Sequence, residues 1–511
     1  MSNPKPELLH LETIGSASTD DVEVQKHAAI DEELRKYVAT EAVEIDSKLN
    51  RRLLNKINGR ILVVMLGTYF LQSLDKNALN FTAIMGIKED AHLVGQNYSW
   101  LHTVIYFGVL AAEYPTAIFV QKVPIAKYLA ANVFLWGVVI TMTCFGDTFP
   151  KLVALRVLLG LFEAVSQPTF LLLSTMWYKR EEQPFIVASW YGMNGIQGIC
   201  GGLIAYGISH INSTVLKTWQ ILYILLGCVT CCWAVFIGWW MPDSPMRAKC
   251  FTEEERMLMV ERVRANKTGL QNKKFKKAHL IELIKDPQIW CYLFVEVIIQ
   301  IPSGGLGSFS TLIIKGIGFD ELQTELLSMV NGALQVFFML SAAYLQRRFE
   351  KSVILFMLIY LVPNIVGTIV FLSVPVNDST RIGLLFAYWT TISFWGMMVL
   401  LMSMLARNVA GQTKKSLASA TLFLAWAVGN MIGPQVFKSS EAPRYVTGFS
   451  VHMGCYGVIY GTLIYLRFYL KKENAKRDAL QDEDWRASEA NVENAFDDLT
   501  DKENPSFRYV Y

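Results

Sequence analysis

Charged side chains are scarce in this sequence, since Asp, Glu, Lys and Arg make up 18% of its 511 residues whereas 52% are hydrophobic. A soluble domain could not bury so much apolar surface. The formal net charge is +3, and the basic residues stand in short clusters between apolar runs rather than on one face. We therefore expect no nucleic-acid partner, and a lipid bilayer as the surroundings.

Cysteine and histidine are also few, with eight and seven residues. The cysteines have no paired spacing for a disulfide framework or a zinc site, and the histidines form no cluster. A P-loop and a nucleophile elbow are both absent. We therefore expect neither an enzyme nor a bound metal or cofactor. No apolar stretch precedes Ile61, so a cleaved signal peptide is not expected either.

What the sequence has in abundance is apolar runs long enough to cross a bilayer. Twelve of them lie near 60–86, 97–120, 125–146, 151–176, 185–209, 219–241, 287–314, 322–346, 352–374, 380–405, 415–437 and 448–470. The sequence thus predicts an all-α membrane protein with twelve transmembrane helices in two six-helix halves. Its predicted parts are an N-terminal segment (1–57), an N-terminal half (58–241), a central loop (242–286), a C-terminal half (287–470) and a C-terminal tail (471–511).

Lys and Arg cluster before the first span and in the even-numbered loops. Such loops stay in the cytoplasm, so the N-terminal segment, the central loop and the tail are predicted to be cytoplasmic. Within the central loop, Thr252 and Glu255 form a capping-box pattern that predicts a short amphipathic helix at the cytoplasmic face, although a plain linker is the alternative interpretation. The polar, acidic tail predicts disorder.

Two charged residues, Asp75 and Lys76, stand inside the first span, in "FLQSLDKNALN". At 1.5 Å per residue, Asp75 lies roughly 22 Å beyond Arg60 and about 20 Å before Lys88, which places the pair near the bilayer midplane. A charge there costs about 2.5–3.5 kcal/mol. Neighbouring residues of a helix point in different directions, so the two charges cannot easily neutralise each other. Their partners must come from other spans, from water or from a ligand.

Further charges occur in the second and fourth spans, and those of the fourth span are candidate partners for Asp75 and Lys76. Arg156 and Glu163, in "LRVLLGLFEAVSQPTF", are seven residues apart and share one helix face. Arg156 either faces the interior or snorkels to the interface. Glu113, in "YFGVLAAEYP", is either a proton carrier or a member of a structural ion pair.

Polar pairs at three- or four-residue spacing recur in spans 5, 7 and 8. They are Asn194 with Gln197, Glu296 with Gln300, and Asn331 with Gln335. Hydrogen bonds between helices explain any one pair, whereas together the pairs predict the lining of a wet cavity. The glycines of span 5 predict tight helix packing. In "IPSGGLGSF", Pro302, Gly304 and Gly305 predict a break in span 7 that could serve as a gating hinge.

The chain resembles the fungal allantoate permease group, which is the anion:cation symporter branch of the major facilitator superfamily. The resemblance covers about residues 48–511 and is carried by motifs that include "LDKNALN", "ALRVLLGLFEAVSQP", "IPSGGLGSF", "VGNMIGPQVF" and the end "DDLTDKENPSFRYVY". Asp75 and Lys76 match the acid–base pair of the group's first span, and Arg156 matches the fourth-span Arg of the superfamily. The basic loop after span 2 departs from the superfamily pattern and reads "VQKVPIAKY". The resemblance implies a functional monomer in the plasma membrane that works by alternating access.

The residues and the resemblance together predict proton-coupled uptake of a small organic anion, with allantoate or a related ureido acid as the first expected cargo. The predicted substrate-binding residues are Lys76, Arg156, Asn194, Gln197, Gln300, Asn331, Gln335 and Trp395. The predicted proton-coupling residues are Asp75, Glu113, Glu163 and Glu296. Alternatives within the group are a permease for a vitamin (nicotinate, biotin or pantothenate) and one for small peptides or amino acids. An alternative of another class is a nutrient sensor built on a transporter fold.

Overall fold

The computed structural model describes residues 46–179, 181–211, 214–248, 250–264, 276–349, 352–484, 499–504 and 507–511. Eleven helices in this part of the chain are long and apolar enough to cross a membrane. The 27-residue helix Gln183–Ser209 is not one of these eleven, and it lies between the fourth and the fifth of them as a twelfth long helix. A helix suits this environment because each backbone N–H and C=O is bonded inside its own segment. The predicted all-helical architecture in two halves is confirmed.

The N-terminal half contains α1 to α6. Helix α1 joins Ser47–Ile57, a π-helical turn at Asn58–Leu62, and Val63–Ile84. The next helices are α2 (Asn97–Lys122), α3 (Ile125–Met142), α4 (Phe149–Glu163 followed by Ser166–Trp177), α5 (Gln183–Ser209) and α6 (Thr218–Trp240). The first helix therefore begins well before the predicted start of the first span.

The C-terminal half contains α7 to α12. These helices are α7 (Pro287–Gly316), α8 (Glu321–Arg348), α9 (Val353–Ser373), α10 (Arg381–Thr390, a 3-10 turn at Thr391–Ser393, and Phe394–Asn408), α11 (Gln412–Ile432) and α12 (Val446–Asp484). Because the number of crossings is even, the start of α1 and the end of α12 lie on one membrane face, which we call the terminal face. The opposite face is called the far face.

The halves meet along three helix pairs, α5 with α8, α1 with α7, and α2 with α11. Small residues permit the closest approach: a Cβ atom added to Gly332 of α8 would lie 2.4 Å from the carbonyl oxygen of Gly195 on α5. The predicted packing role of the span 5 glycines holds at Gly195, Gly198 and Gly202, which face α8, whereas open space surrounds Gly192. Backbone contact of this kind is a common way for membrane helices to associate.

The predicted break in span 7 is wrong, because α7 is one continuous helix from Pro287 to Gly316. Its glycines serve a different purpose. A Cβ atom added to Gly304 would lie 3.1 Å from the Cα atom of Asn430, so the glycine lets α11 approach the backbone of α7. Pro302 sits inside the helix and removes one backbone hydrogen bond of its ladder, but the helix continues past it. Close packing against α11 keeps the segment helical.

The central segment forms the helix Glu253–Arg264 on the terminal face. The predicted capping box is present, because the backbone N–H of Glu255 donates to the Thr252 hydroxyl and Glu255 accepts from the backbone of Thr252. Arg262 of this helix is buried, donates to Asn50 at 2.7 Å and pairs with Glu182. The helix is therefore docked on the N-terminal half rather than serving as a plain linker.

The prediction of a disordered tail is wrong for two of its parts. Helix α12 continues to Asp484, and residues 499–504 and 507–511 pack against the terminal face of the C-terminal half. Residues 485–498 lie outside the described part of the chain. The tail departs from its composition-based prediction because a groove on the C-terminal half holds its last residues.

Candidate functional site

Lys76 lies at the centre of the molecule between the two halves. Its ammonium nitrogen is 3.4 Å from a carboxylate oxygen of Glu163 on α4 and 5.7 Å from the ring centre of Trp426 on α11. The side chain of Lys76 is 26% exposed, whereas that of Glu163 is 0% exposed. Lys76 is therefore a partly exposed cation held between a buried carboxylate of one half and an aromatic face of the other. We call Lys76, Glu163 and Trp426 the central site.

Asp75 points away from Lys76, as the geometry of a helix requires. It is fully buried, and one of its carboxylate oxygens accepts a 2.7 Å hydrogen bond from the indole N–H of Trp136 on α3. Of the sources left open by the sequence, which were other spans, water or a ligand, the structure shows side chains of other helices beside both residues. Asp75 thus belongs to the interior of the N-terminal half.

Arg156 does not snorkel to the interface. It is 4% exposed and donates to the Tyr223 hydroxyl of α6 at 3.1 Å. Within the described residues, no carboxylate lies within ion-pairing distance of its guanidinium, although it acts electrostatically on Asp75 and Glu163. Arg156 therefore adds positive potential to the acidic interior of this half.

Asn194 and Gln197 line the contact between α5 and α1. Asn194 accepts from Ser73 at 2.7 Å and donates to Tyr69 at 3.1 Å, while Gln197 accepts from Asn77 at 2.8 Å. These amides bond helices of the same half. In this conformation they form hydrogen bonds between helices, which is one of the two interpretations of their spacing given above.

Glu296 and Gln300 form a buried chain of hydrogen bonds across α7 and α11. The Gln300 amide donates to Glu296 at 2.8 Å and accepts from Asn430 at 3.0 Å. Both residues are 0% exposed. The second oxygen of Glu296 has no hydrogen-bond partner in the described part of the chain. A buried carboxyl with a vacant acceptor can hold a proton at low cost.

Asn331 and Gln335 are one helical turn apart on α8, so they share a face. The Asn331 amide donates to the Tyr388 hydroxyl at 3.4 Å, which leaves its carbonyl oxygen without a partner among the described residues. The Gln335 amide nitrogen is unpartnered in the same sense, although the residue is only 9% exposed. This face therefore has one vacant acceptor and one vacant donor among the described residues, whereas most buried polar groups in proteins are hydrogen-bonded.

Trp395, predicted to wall the site, stacks on Phe394 at a ring distance of 5.5 Å, and its contact with cargo stays a prediction. The tryptophan beside Lys76 is Trp426, which also meets Tyr106 of α2 edge to face at 5.5 Å. Trp426 therefore links both halves at the centre.

Glu113 of α2 is half-buried and acts electrostatically with Lys76.

Hydrogen bonds join the two halves on the far side of the central site. Thr311 of α7 donates to the Asn80 carbonyl of α1 at 2.7 Å. Thr103 of α2 donates to the Met431 carbonyl at 2.9 Å and accepts from Gln435 at 2.8 Å. These bonds hold the two halves together on the far-face side of the central site.

A second far-face contact joins α5 to α8. Ser209 donates to one carboxylate oxygen of Glu325 at 2.7 Å. Glu325 is 0% exposed, and its other oxygen is unpartnered in the described residues. Sequence reasoning singled out neither residue, since a serine and a glutamate near helix ends carry no distinctive spacing.

Trp426, Asn430, Trp136 and Tyr223 were also missed as partners of the predicted site residues. Asn430 carried a usable signal, because it is one of two polar residues, with Gln435, inside the glycine-containing run "VGNMIGPQVF". The aromatic residues carried none. A single aromatic side chain in an apolar span is equally compatible with lipid contact and with a buried hydrogen bond.

Comparisons with known proteins show the family of the chain. The family model described as Major Facilitator Superfamily matches residues 65–434. An uncharacterized transporter of Schizosaccharomyces pombe is 37% identical over 91% of this chain and 88% of its own length. In Saccharomyces cerevisiae, a thiamine pathway transporter is 33% identical over 91% of this chain and 87% of its own, and an allantoate permease is 30% identical over 94% and 90%.

Solved structures share the fold at low sequence identity. A bacterial homologue of the human lysosomal transporter Spinster, in an inward-facing and unoccupied conformation, has a TM-score of 0.60 at 12% identity, over 81% of this chain and 95% of its own. A D-xylose–proton symporter has a TM-score of 0.56 at 14% identity, over 80% and 96%. At these identities the likeness establishes the fold alone.

Proposed function

We propose that this chain, which belongs to the Major Facilitator Superfamily and is a secondary transporter rather than an enzyme, takes up a small organic anion together with protons. One observation supports the proposal above the others. Lys76 is a partly exposed cation between the halves, where alternating access brings cargo. A cation at this depth is costly, so a ligand function is a sufficient reason for it.

Glu163 is our proposed proton acceptor. Its carboxylate and an incoming cargo carboxylate compete for the same ammonium group, because Lys76 lies 3.4 Å from Glu163. A proton on Glu163 removes its negative charge and leaves Lys76 available for a charge-assisted hydrogen bond with cargo. Anion and proton then enter together. The second predicted cation, Arg156, acts in this scheme through its field rather than by contact.

The cargo we propose is a ureido acid such as allantoate. Its carboxylate would bind Lys76, while its ureido N–H and C=O groups would use the vacant acceptor of Asn331 and the vacant donor of Gln335. The 30% identical allantoate permease supports this choice. The 33% identical thiamine pathway transporter makes vitamins the necessary competitors in any cargo test.

The proposed location is the plasma membrane, with the terminal face in the cytoplasm. The excess of Lys and Arg in the loops of that face supports this orientation. The far-face hydrogen bonds would then close the site toward the outside, so the structure would represent a conformation from which cargo leaves to the cytoplasm.

Uptake assays test the proposal. Cells that lack their own permeases would express the chain and receive labelled ureides, vitamins and dipeptides, with and without a collapsed proton gradient. We expect gradient-dependent uptake of a ureido acid and its loss in Lys76→Ala at unchanged surface expression. Lys151→Ala is the matched control, because Lys151 forms an exposed ion pair with Asp147. Normal uptake by Lys76→Ala would refute the anion site, and uptake without the gradient would refute proton coupling.

A further inference from the structure

The end of the chain lies in a groove on the terminal face of the C-terminal half. The groove is bounded by the helix Lys277–Lys285, by the end of α10, by the start of α11 and by the extension of α12. We call residues 499–511 the terminal segment, of which 499–504 and 507–511 are described. Fourteen residues outside the described chain, 485–498, separate it from α12.

A buried ionic cluster holds the start of the terminal segment. The ammonium group of Lys414, on α11, is 0% exposed and lies 2.7 Å from Asp501, 2.8 Å from Asp286 and 2.8 Å from Glu282. Asp501 is itself 0% exposed. Burying a charge costs several kcal/mol unless its partners are placed accurately. An incidental contact of a tail would not deliver Asp501 to this position.

Two asparagines recognise the backbone near the end of the segment. Asn474 donates to the Tyr509 carbonyl at 2.8 Å and accepts its N–H at 2.9 Å. Asn408 does the same for Val510, with both bonds at 2.8 Å. Each side-chain amide therefore satisfies both polar groups of one residue. Such pairing fixes the register of an extended peptide, as an added strand would.

Arg477 of the α12 extension ties the two ends of the segment together. It donates to the carbonyl oxygens of Phe507 at 2.7 Å and Asp501 at 2.8 Å, and its guanidinium lies 4.4 Å from the ring centre of Tyr509. The Tyr509 hydroxyl donates to Asp501 at 2.8 Å. Burial raises the pKa of this phenol, which keeps the proton on the donor oxygen.

We propose that the terminal face of the C-terminal half is a peptide-binding site whose ligand is the terminal segment of the same chain, and that the bound segment fastens the ends of α10, α11 and α12 to the central loop. The recognised features are an aspartate for the buried Lys414 and, eight residues later, a tyrosine in extended backbone. The site is formed by the body of the protein, so it binds the segment even when the covalent tether is cut.

The first test uses the full chain. A specific protease site placed within residues 485–498 allows the purified protein to be cut, and size-exclusion chromatography with mass spectrometry then shows whether the segment stays bound. We expect it to co-elute with the body. Asp501→Asn should weaken retention by about 10- to 150-fold, the range for a hydrogen bond to a charged group. Asp478→Asn is the matched control, because Asp478 pairs with Arg508 at the exposed rim.

The second test adds a labelled synthetic peptide of residues 499–511 to a chain that ends at residue 484, with fluorescence anisotropy as the readout. Saturable binding that weakens with the Asp501→Asn peptide would support the site. If the shortened chain is not monodisperse, retention of the segment by the cut full-length protein is the only test of the proposal. Loss of the cut segment from the unsubstituted protein, or equal retention of the segment by the Asp501→Asn and Asp478→Asn proteins, would overturn the proposal.

Discussion

The ion pair between Lys76 and Glu163 predicts that the same substitutions change the stability of the protein and its transport activity in different ways. At 3.4 Å and an effective dielectric constant of about 20, the attraction is roughly 5 kcal/mol before solvent screening. Lys76 is about one quarter exposed, so screening reduces this value. Breaking a buried pair typically costs 3–5 kcal/mol. We therefore expect Lys76→Met to lower the free energy of unfolding by about 3 kcal/mol, because Glu163 stays buried without its partner.

Glu163→Gln should cost less, about 1 kcal/mol or below, because the Lys76 left behind reaches water. The double variant removes both charges and should regain about 2 kcal/mol relative to Lys76→Met. Transport should behave differently. Lys76→Met and the double variant should both be inactive, whereas Glu163→Gln should bind cargo with an affinity that no longer depends on pH.

Denaturant unfolding of the purified variants measures stability, and uptake into proteoliposomes with an imposed proton gradient measures transport. A double variant no more stable than Lys76→Met would show that Lys76 and Glu163 do not pair. A double variant that transports at the unsubstituted rate would show that Lys76 is not the anion site. Retained pH dependence in Glu163→Gln would move proton coupling to another carboxyl.

Three further predictions concern packing, gating and cargo. Gly160→Ala should destabilise the protein by about 1–3 kcal/mol in thermal unfolding, because its Cβ would lie 2.0 Å from a carbonyl oxygen of α2, whereas Gly192→Ala, in open space, should not. Thr103→Val removes the two far-face hydrogen bonds of this residue, each worth about 0.5–1.5 kcal/mol. A cysteine placed at the central site should then be labelled several-fold faster by a reagent added outside the cell. Unchanged labelling would contradict a gating role for these bonds. Gln335→Leu should raise the KM of a ureido acid about tenfold or more and leave that of a plain carboxylate unchanged, whereas equal shifts would refute cargo contact.

The helices and the two halves could be predicted from the sequence because hydrophobic length decides them directly. The central position of Lys76 followed from counting residues along one helix. Its partner, Glu163, was one of two candidate partners in the fourth span. The sequence did not decide which residue of the first span Glu163 would meet, since that depends on how α4 rotates against α1. Spacing along one helix carries no information about that rotation.

Two errors have different physical causes. Gly304 and Gly305 are compatible both with a broken helix and with a close approach of a second helix, and only the presence of α11 decides between them. The tail was judged by its composition, which measures whether a segment can bury apolar surface on its own. The terminal segment is ordered instead by polar contacts supplied by the body, above all the buried Lys414.

The hydrogen bonds of Thr103 and Thr311 across the far face bear on pharmacology. In the proposed orientation, a drug that cannot permeate the membrane would find no route to Lys76 while these bonds hold. In the same orientation, blockers aimed at this conformation would have to reach the cytosol first. Antibodies applied from outside the cell would contact the far face and not the central site.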